Sequence, residues 1–252
     1  RLAKIKVKMA ENLERLPDYT CLQTIERTQR AAGSQRTQFI DALRLEVALV
    51  GGKELYAWPG GKRFEDREIR DFAAPGGAIS NGSFALHARA VFLSNAPVFH
   101  FAGKELWRGK PAFRYDFSVA QLVSGYQIRS GDRQGFAGYH GSFWADAETL
   151  DLLRLEVVAD HIPPEVPVSG ASNSIDYGRV SLGGKDFLLP VAADLRLLSI
   201  DGTESRNAIR FTGWRHYSGQ TLLTFGDAPP TPDPVKPRLE RLALPAGLEF
   251  EM

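Results

Sequence analysis

Between Tyr139 and Val157 two apolar-rich arms, Tyr139 to Ala145 and Leu150 to Val157, flank the segment Asp146-Ala147-Glu148-Thr149. Four mostly polar residues between runs of aromatic, β-branched and aliphatic side chains have the length and chemistry of a hairpin loop. Gly51-Gly52, Gly183-Gly184 and Asp201-Gly202 repeat that signal, because glycine accepts the positive φ that tight two-residue turns demand. Strands joined by such turns are antiparallel neighbours, so the chain is expected to form a meander and not a βαβ unit.

The alternation that goes with this reading dominates the chain. Strands are expected over Tyr19 to Gln29, Leu43 to Leu49 and Lys53 to Trp58, and then near Val98 to Glu105, Pro111 to Val119, Gly125 to Arg129 and Gly135 to Ala145. Further strands are expected near Leu150 to His161, Ser172 to Leu182, Lys185 to Leu189, Val191 to Ile200 and Thr203 to Tyr217. A sheet of about eight to eleven such strands has to curl strongly or close.

Helical spacing occurs twice. Leu2, Ile5, Met9, Leu13 and Leu16 make one stripe of an amphipathic helix that Pro17 ends. Phe84 to Leu93, which Ser83 can cap, is apolar around most of its circumference and leaves only His87 and Arg89 polar. Such a helix is buried on more than one side or covers something apolar. Ala73 to Gly82 before it reads as a glycine-rich loop, and Arg63 to Phe72 as a charged, weakly helical insertion. From Asp227 the prolines at 229, 230, 232, 234 and 237 predict an extended tail or the start of a further segment, giving a sheet domain over 1–226 and a separate piece over 227–252.

Charge and cysteine content narrow the functional classes. Thirty-one Lys and Arg against 30 Asp and Glu leave a net charge of +1, which supplies no field for nucleic acid or an anionic membrane. Cys21 is the only cysteine, so there is no intrachain disulfide, and its place in a period-two strand makes it a core side chain. No run reaches the ~18–20 apolar residues that span a bilayer. The chain opens on Arg1 and stops in strand-like alternation, so it is expected to be a processed piece of something longer.

Catalytic signatures are sparse. His87, His100, His140, His161 and His216 are scattered singly, without the local spacing of a metal-ligand set. His140, Ser142 and Trp144 alternate onto one sheet face, and His140 beside a carboxylate in a solvent-filled cleft would be the sign of an enzyme. Gly141-Ser142-Phe143 lacks the second glycine of a nucleophile elbow and lies within a strand. Asp146, Glu148 and Asp151 sit in a loop too short for an EF-hand, so turn-forming and solubilising roles are assigned to them. Arg154 and Glu156 share a face and can pair with neighbouring strands.

Aromatic residues are dense on the expected sheet. Phe84, Phe92, Phe99, Phe101, Trp107, Phe113, Tyr115, Phe117, Phe136, Phe143 and Trp144 crowd the sheet and its covering helix. In a half-open barrel alternate side chains line the concave face, where they either fill the core or bound an apolar cavity.

The run from Gly141 to Arg154, together with the N-terminal helix leading into Tyr19-Thr20-Cys21-Leu22-Gln23-Thr24-Ile25, resembles the periplasmic lipoprotein-carrier superfamily and related sigma-E regulatory proteins. Trp144, Asp146, Thr149, Leu153 and Arg154 occupy the matching positions of the hairpin. Ala171 to Tyr177 and Phe187-Leu188-Leu189-Pro190 also resemble exported proteins of acidobacteria. The resemblance implies a mainly β fold: a strongly curved antiparallel sheet with an N-terminal helix and an inserted covering helix, located in the periplasm or cell envelope. It further implies a non-enzymatic role with no cofactor and no metal. The expected ligand is a lipid, a lipoprotein acyl chain or another apolar molecule held by Phe84, Phe92, Phe101, Tyr115, Phe117, Phe143 and Trp144. The alternative is a sensory or protein-interaction module that contacts an envelope partner.

Overall fold

The computed structural model describes residues 1–61, 63–73 and 86–217. Helix α1 (Leu2–Arg15) leads into β1 (Tyr19–Arg30), β2 (Gln38–Val50) and β3 (Lys53–Ala57), followed by a short helix α2 (Leu86–Phe92). After it come β4 (Val98–Trp107), β5 (Lys110–Val119), β6 (Tyr126–Ser130), β7 (Arg133–Asp146), β8 (Leu152–Asp160), β9 (Val168–Leu182), β10 (Lys185–Ser199) and β11 (Glu204–His216). The expected loop Ala73 to Gly82, beyond Ala73 itself, the Ser83 cap, Phe84 and the proline-rich segment from Asp227 lie outside the described residues.

The eleven strands form one antiparallel sheet in the order β3-β2-β1-β11-β10-β9-β8-β7-β5-β4, with β6 on β7 off that path. β3 and β4 are its two ends and do not pair with each other, so the fold is mainly β and the sheet is a half-open barrel. Two features depart from a simple meander. β1 pairs with β11, setting Ile25 opposite Ile209 and joining the first hairpins to the last strand. β7 is long enough for two partners along one edge, Arg133 to Ala137 against β6 and Tyr139 to Asp146 against β5, while its other edge pairs with β8.

Period-two alternation sorts the two faces of the sheet. One inner row runs Tyr115, Phe143, Leu155, Ile175, Ala193, Ile209, Ile25 and Leu43 across eight neighbouring strands, and all eight side chains are buried. Ile5, Met9 and Leu13 of α1 and Ala88, Val91 and Phe92 of α2 join the same apolar core. Each fully buried side chain of this size contributes about 1.5–3 kcal/mol. A smaller cluster of Ile128, Ala137, Val166, Val168 and Ala171 packs where the β6–β7 hairpin meets β9.

The outer face is a ladder of ion pairs. Arg154 donates to Glu156 at 2.7 Å along its own strand and to Asp176 at 2.7 Å on the neighbour, and Arg108 also reaches Asp176 at 2.6 Å. Arg196 and Arg206 meet on Asp194 at 3.0 and 2.5 Å.

The sequence predicts separate strands on either side of Pro190, but the chain keeps one strand over Lys185–Ser199. It absorbs the proline at a register shift between Pro190 and Ala192, where a missing ladder N–H is tolerated. The hairpin arm expected to start at Leu150 begins at Leu152 instead. Leu150 takes a left-handed φ of 63° and its N–H donates to Asp146 O at 2.9 Å, which extends the loop by two residues.

Candidate functional site

Five of the seven residues expected on a concave binding face meet in one aromatic wall. Tyr115 stacks on Phe143 at 5.2 Å between centroids, Phe101 leans on Tyr115 at 5.1 Å, and Phe92 of α2 presses edge-on against Phe143 at 5.0 Å. Phe117 joins through Phe99, which lies 6.2 Å from Phe117 and 6.1 Å from Phe143. Cross-strand pairing explains the assembly, because Phe101 opposes Tyr115, Tyr115 opposes Phe143, and Phe99 opposes Phe117. Phe92, Tyr115, Phe117 and Phe143 are buried in this packing, while Phe101 at the edge strand is 46% exposed.

Trp144 belongs elsewhere. As the neighbour of Phe143 in an extended strand it has to point to the other face, so it cannot line the same wall. Its indole lies 5.3 Å from Trp107, under Arg114 at 5.4 Å, and its N–H donates to Glu105. The reading that placed Phe143 and Trp144 in one site is corrected by strand parity. Phe84 lies outside the described residues.

The inner face also carries polar side chains that sequence reasoning passed over. Val157, Asn173, Leu195, Asn207, Arg27 and Asp41 form the cross-strand row next to the apolar one. Asn173, Asn207 and Arg27 are no more than 2% exposed. Arg27 grips Asp41 with two donors, Nε at 2.7 Å and Nη2 at 2.5 Å. Among the described residues, both polar atoms of the Asn173 amide, Oε1 of Gln23 and the hydroxyl of Tyr177 find no hydrogen-bond partner. A buried amide left unpaired costs about 1–3 kcal/mol, so an apolar residue would be the more stable choice there. The signal was available: Asn173 alternates in phase with Ala171, Ile175 and Tyr177 in a strand whose inner face is apolar.

The remaining candidates do not assemble a catalytic group. His140 lies on the outer face with Nδ1 3.9 Å from Asp160, both side chains are half exposed, and Asp160 also sits 3.2 Å from His161. Ser142 donates to Asp116 at 2.7 Å and accepts from Arg114 at 3.2 Å, so its hydroxyl is tied into the outer polar ladder. Cys21 is buried at 2%, and burial, with Glu54 adding to it, pushes its thiol well above the ordinary range. Among the described residues no group of three His, Cys, Asp or Glu is arranged to hold a metal. No described helix is long and apolar enough to cross a membrane.

The Asp146 loop is built by its first residue, whose carboxylate accepts the N–H groups of Glu148 at 2.9 Å and Thr149 at 2.8 Å. Asp151 departs from the solubilising role assigned to it. It is 8% exposed and takes Lys8 at 2.7 Å and both Nε and Nη2 of Arg179, at 2.8 and 3.1 Å.

No family model and no curated protein matches this sequence. Among solved structures, the chain is similar to a domain assigned to outer-membrane lipoprotein sorting from Vibrio parahaemolyticus, at 12% identity and a TM-score of 0.44, covering 86% of this chain and 92% of the other. It is also similar to a DUF1329 family protein from Desulfovibrio piger (12% identity, TM-score 0.40, 86% and 92% covered). A LolA superfamily protein from Nitrosomonas europaea is similar at 10% identity and a TM-score of 0.37, with 86% and 94% covered.

Proposed function

We propose that this chain is a non-catalytic cell-envelope protein whose inner sheet face holds a lipid, a lipoprotein acyl chain or another mainly apolar ligand bearing a polar group. The observation that carries this reading is the pairing of surfaces on that face. An aromatic wall built from Phe92, Phe99, Phe101, Tyr115, Phe117 and Phe143 shares the inner face of the sheet with buried, unpartnered polar groups at Asn173, Gln23 and Tyr177. Stability alone favours leucine over an orphaned amide, so the presence of Asn173 on this face supports a binding role. Helix α2, two turns long with Ala88, Val91 and Phe92 as its buried contacts, is the natural lid. A helix this short can open locally at lower cost than global unfolding. The envelope location rests on the Trp144 to Arg154 resemblance.

A titration with a fluorescent long-chain fatty acid tests the site. Phe92→Ala is expected to weaken binding roughly tenfold, the equivalent of about 1.4 kcal/mol, and Trp144→Ala on the opposite face is expected to leave it unchanged. Equal effects of the two substitutions, or no binding at all, would contradict the proposal.

A second reading has its own support. Edge strand β4 exposes Val98 at 71%, Leu106 at 70% and Phe101 at 46%, the surface a partner protein's strand would extend. Binding of an envelope protein that is abolished by Val98→Lys, with no fatty acid bound, would favour it.

A further inference from the structure

The C-terminal half of α1 borders a cleft of about 630 Å³ that shares no residue with the aromatic wall. Lys8, Met9, Glu11, Asn12 and Arg15 form one side, and Asp151, Arg179 and the segment from Lys185 to Leu188 form the other. That volume falls in the range of small-molecule sites.

The cleft is held in shape from both sides. Asn12 donates to Leu188 O and accepts from Leu188 N, each at 2.9 Å, which fastens the helix to β10 as a backbone strand would. Asp151 is fully engaged: Arg179 clasps it with two donors, Lys8 bonds it at 2.7 Å, and Lys8 also reaches the carbonyl of Thr149. Two cations are therefore fixed at the rim instead of swinging in solvent, and the third guanidinium nitrogen, Nη1 of Arg179, is not used on Asp151.

Charge and apolar surface are then segregated. Arg179, Lys8, Arg15 and Lys185 face three carboxylates, of which Glu11 is taken by Arg15 at 3.4 Å and Asp151 by the clasp just described. Asp186 stands beside Lys185, and no described ion pair involves Lys185. The partial negative charge of about one half at the helix C-terminus opposes an anion, and Arg15 in the last turn offsets it. Met9, Phe187 and Leu188 give the apolar portion of the lining, with Met9 and Leu188 belonging to the core beneath.

We propose that this cleft is a second ligand site, distinct from the aromatic wall, which takes a small soluble anionic amphiphile: a carboxylate or phosphate head on Lys185, Arg179 and Lys8, and a short apolar body on Phe187, Leu188 and Met9. The geometry requires both ends of the ligand, since the rim cations alone are partly neutralised and the apolar lining alone is small.

Calorimetric titration of the full chain tests this with octyl phosphate below its micelle concentration, octyl glucoside and inorganic phosphate. Octyl phosphate is expected to bind at least tenfold more tightly than either of the others. Lys185→Glu and Phe187→Asp are each expected to lower that affinity at least tenfold, and Lys53→Glu, a distant exposed charge, is expected to leave it unchanged. Octyl phosphate binding no tighter than octyl glucoside or phosphate, or binding that survives Lys185→Glu, would overturn the proposal. Lys185 and Phe187 are absent from the aromatic wall, so this outcome is independent of the result of Phe92→Ala there.

Discussion

Tyr115 and Phe143 face each other across the β5–β7 ladder with ring centroids 5.2 Å apart and planes inclined by only 13°. The two rings are the centre of the aromatic wall: Phe101 contacts the first, and Phe92 and Phe99 contact the second. A pair in this offset arrangement is worth about 0.5–1.5 kcal/mol beyond its buried area. Phe143→Ala is expected to cost about 3–5 kcal/mol, and a double-mutant cycle with Tyr115→Ala in urea denaturation should return a coupling of about 1 kcal/mol. A coupling indistinguishable from zero would mean that the rings act independently.

Gly141 is the second test of how tightly the sheet is drawn. A Cβ at this position would lie 1.9 Å from the carbonyl oxygen of Glu156 and 3.0 Å from the Phe117 ring, so β7 and β8 would have to separate. Gly141→Ala is expected to destabilise the protein by about 3 kcal/mol. Gly170→Ala, whose Cβ would meet Leu198 at an ordinary 3.7 Å, should be close to neutral. Equal chemical midpoints for the two variants would refute the close approach.

Asn173 separates stability from function. Asn173→Leu removes an unpartnered buried amide, so thermal or urea unfolding should show a gain of about 1–2 kcal/mol, while affinity for the fluorescent fatty acid falls because the polar contact is lost. A loss of stability would show that the amide is satisfied in solution and that the polar row is structural.

Acid should weaken the packing of α2. Burial pushes the His87 imidazole down to about 4, and its ring lies edge-on to Tyr126 at 5.5 Å. The unfolded chain titrates this group near its ordinary value of about 6.5, so between that pH and about 4 the unfolded state binds the additional proton. Stability from neutral His87 is therefore complete above the upper value and declines as pH falls through the window. Chemical denaturation at about pH 7.5 and about pH 5 should show a larger drop for the wild type than for His87→Gln, and matching drops would contradict the assignment.

Local patterning made much of this fold legible. The stripe of Ile5, Met9 and Leu13, the glycine-pair turns and the alternation through β7 to β11 are short-range signals, and they point to the antiparallel meander and its two helices, while the half-open barrel is what the resemblance implies. Pairing of β1 with β11 was not legible, because residues 19–30 and 204–216 carry no local mark of their register. Five residues of the aromatic wall follow from aromatic density, whereas Trp144 does not join them, because neighbours in an extended strand point to opposite faces. Asn173 escapes notice because a lone polar residue in a strand reads as solvent-facing unless the phase of its neighbours is followed, and the buried role of Asp151 depends on Lys8 and Arg179, which are distant in sequence.

Native mass spectrometry of the protein, expressed with export to the envelope and purified without detergent, tests the central claim most directly. The account predicts a bound species with the mass of a lipid or acyl-chain compound, released on denaturation and lost in a Phe92→Ala, Asn173→Leu double variant. Ligand-free protein, or an adduct retained undiminished by that variant, would contradict it.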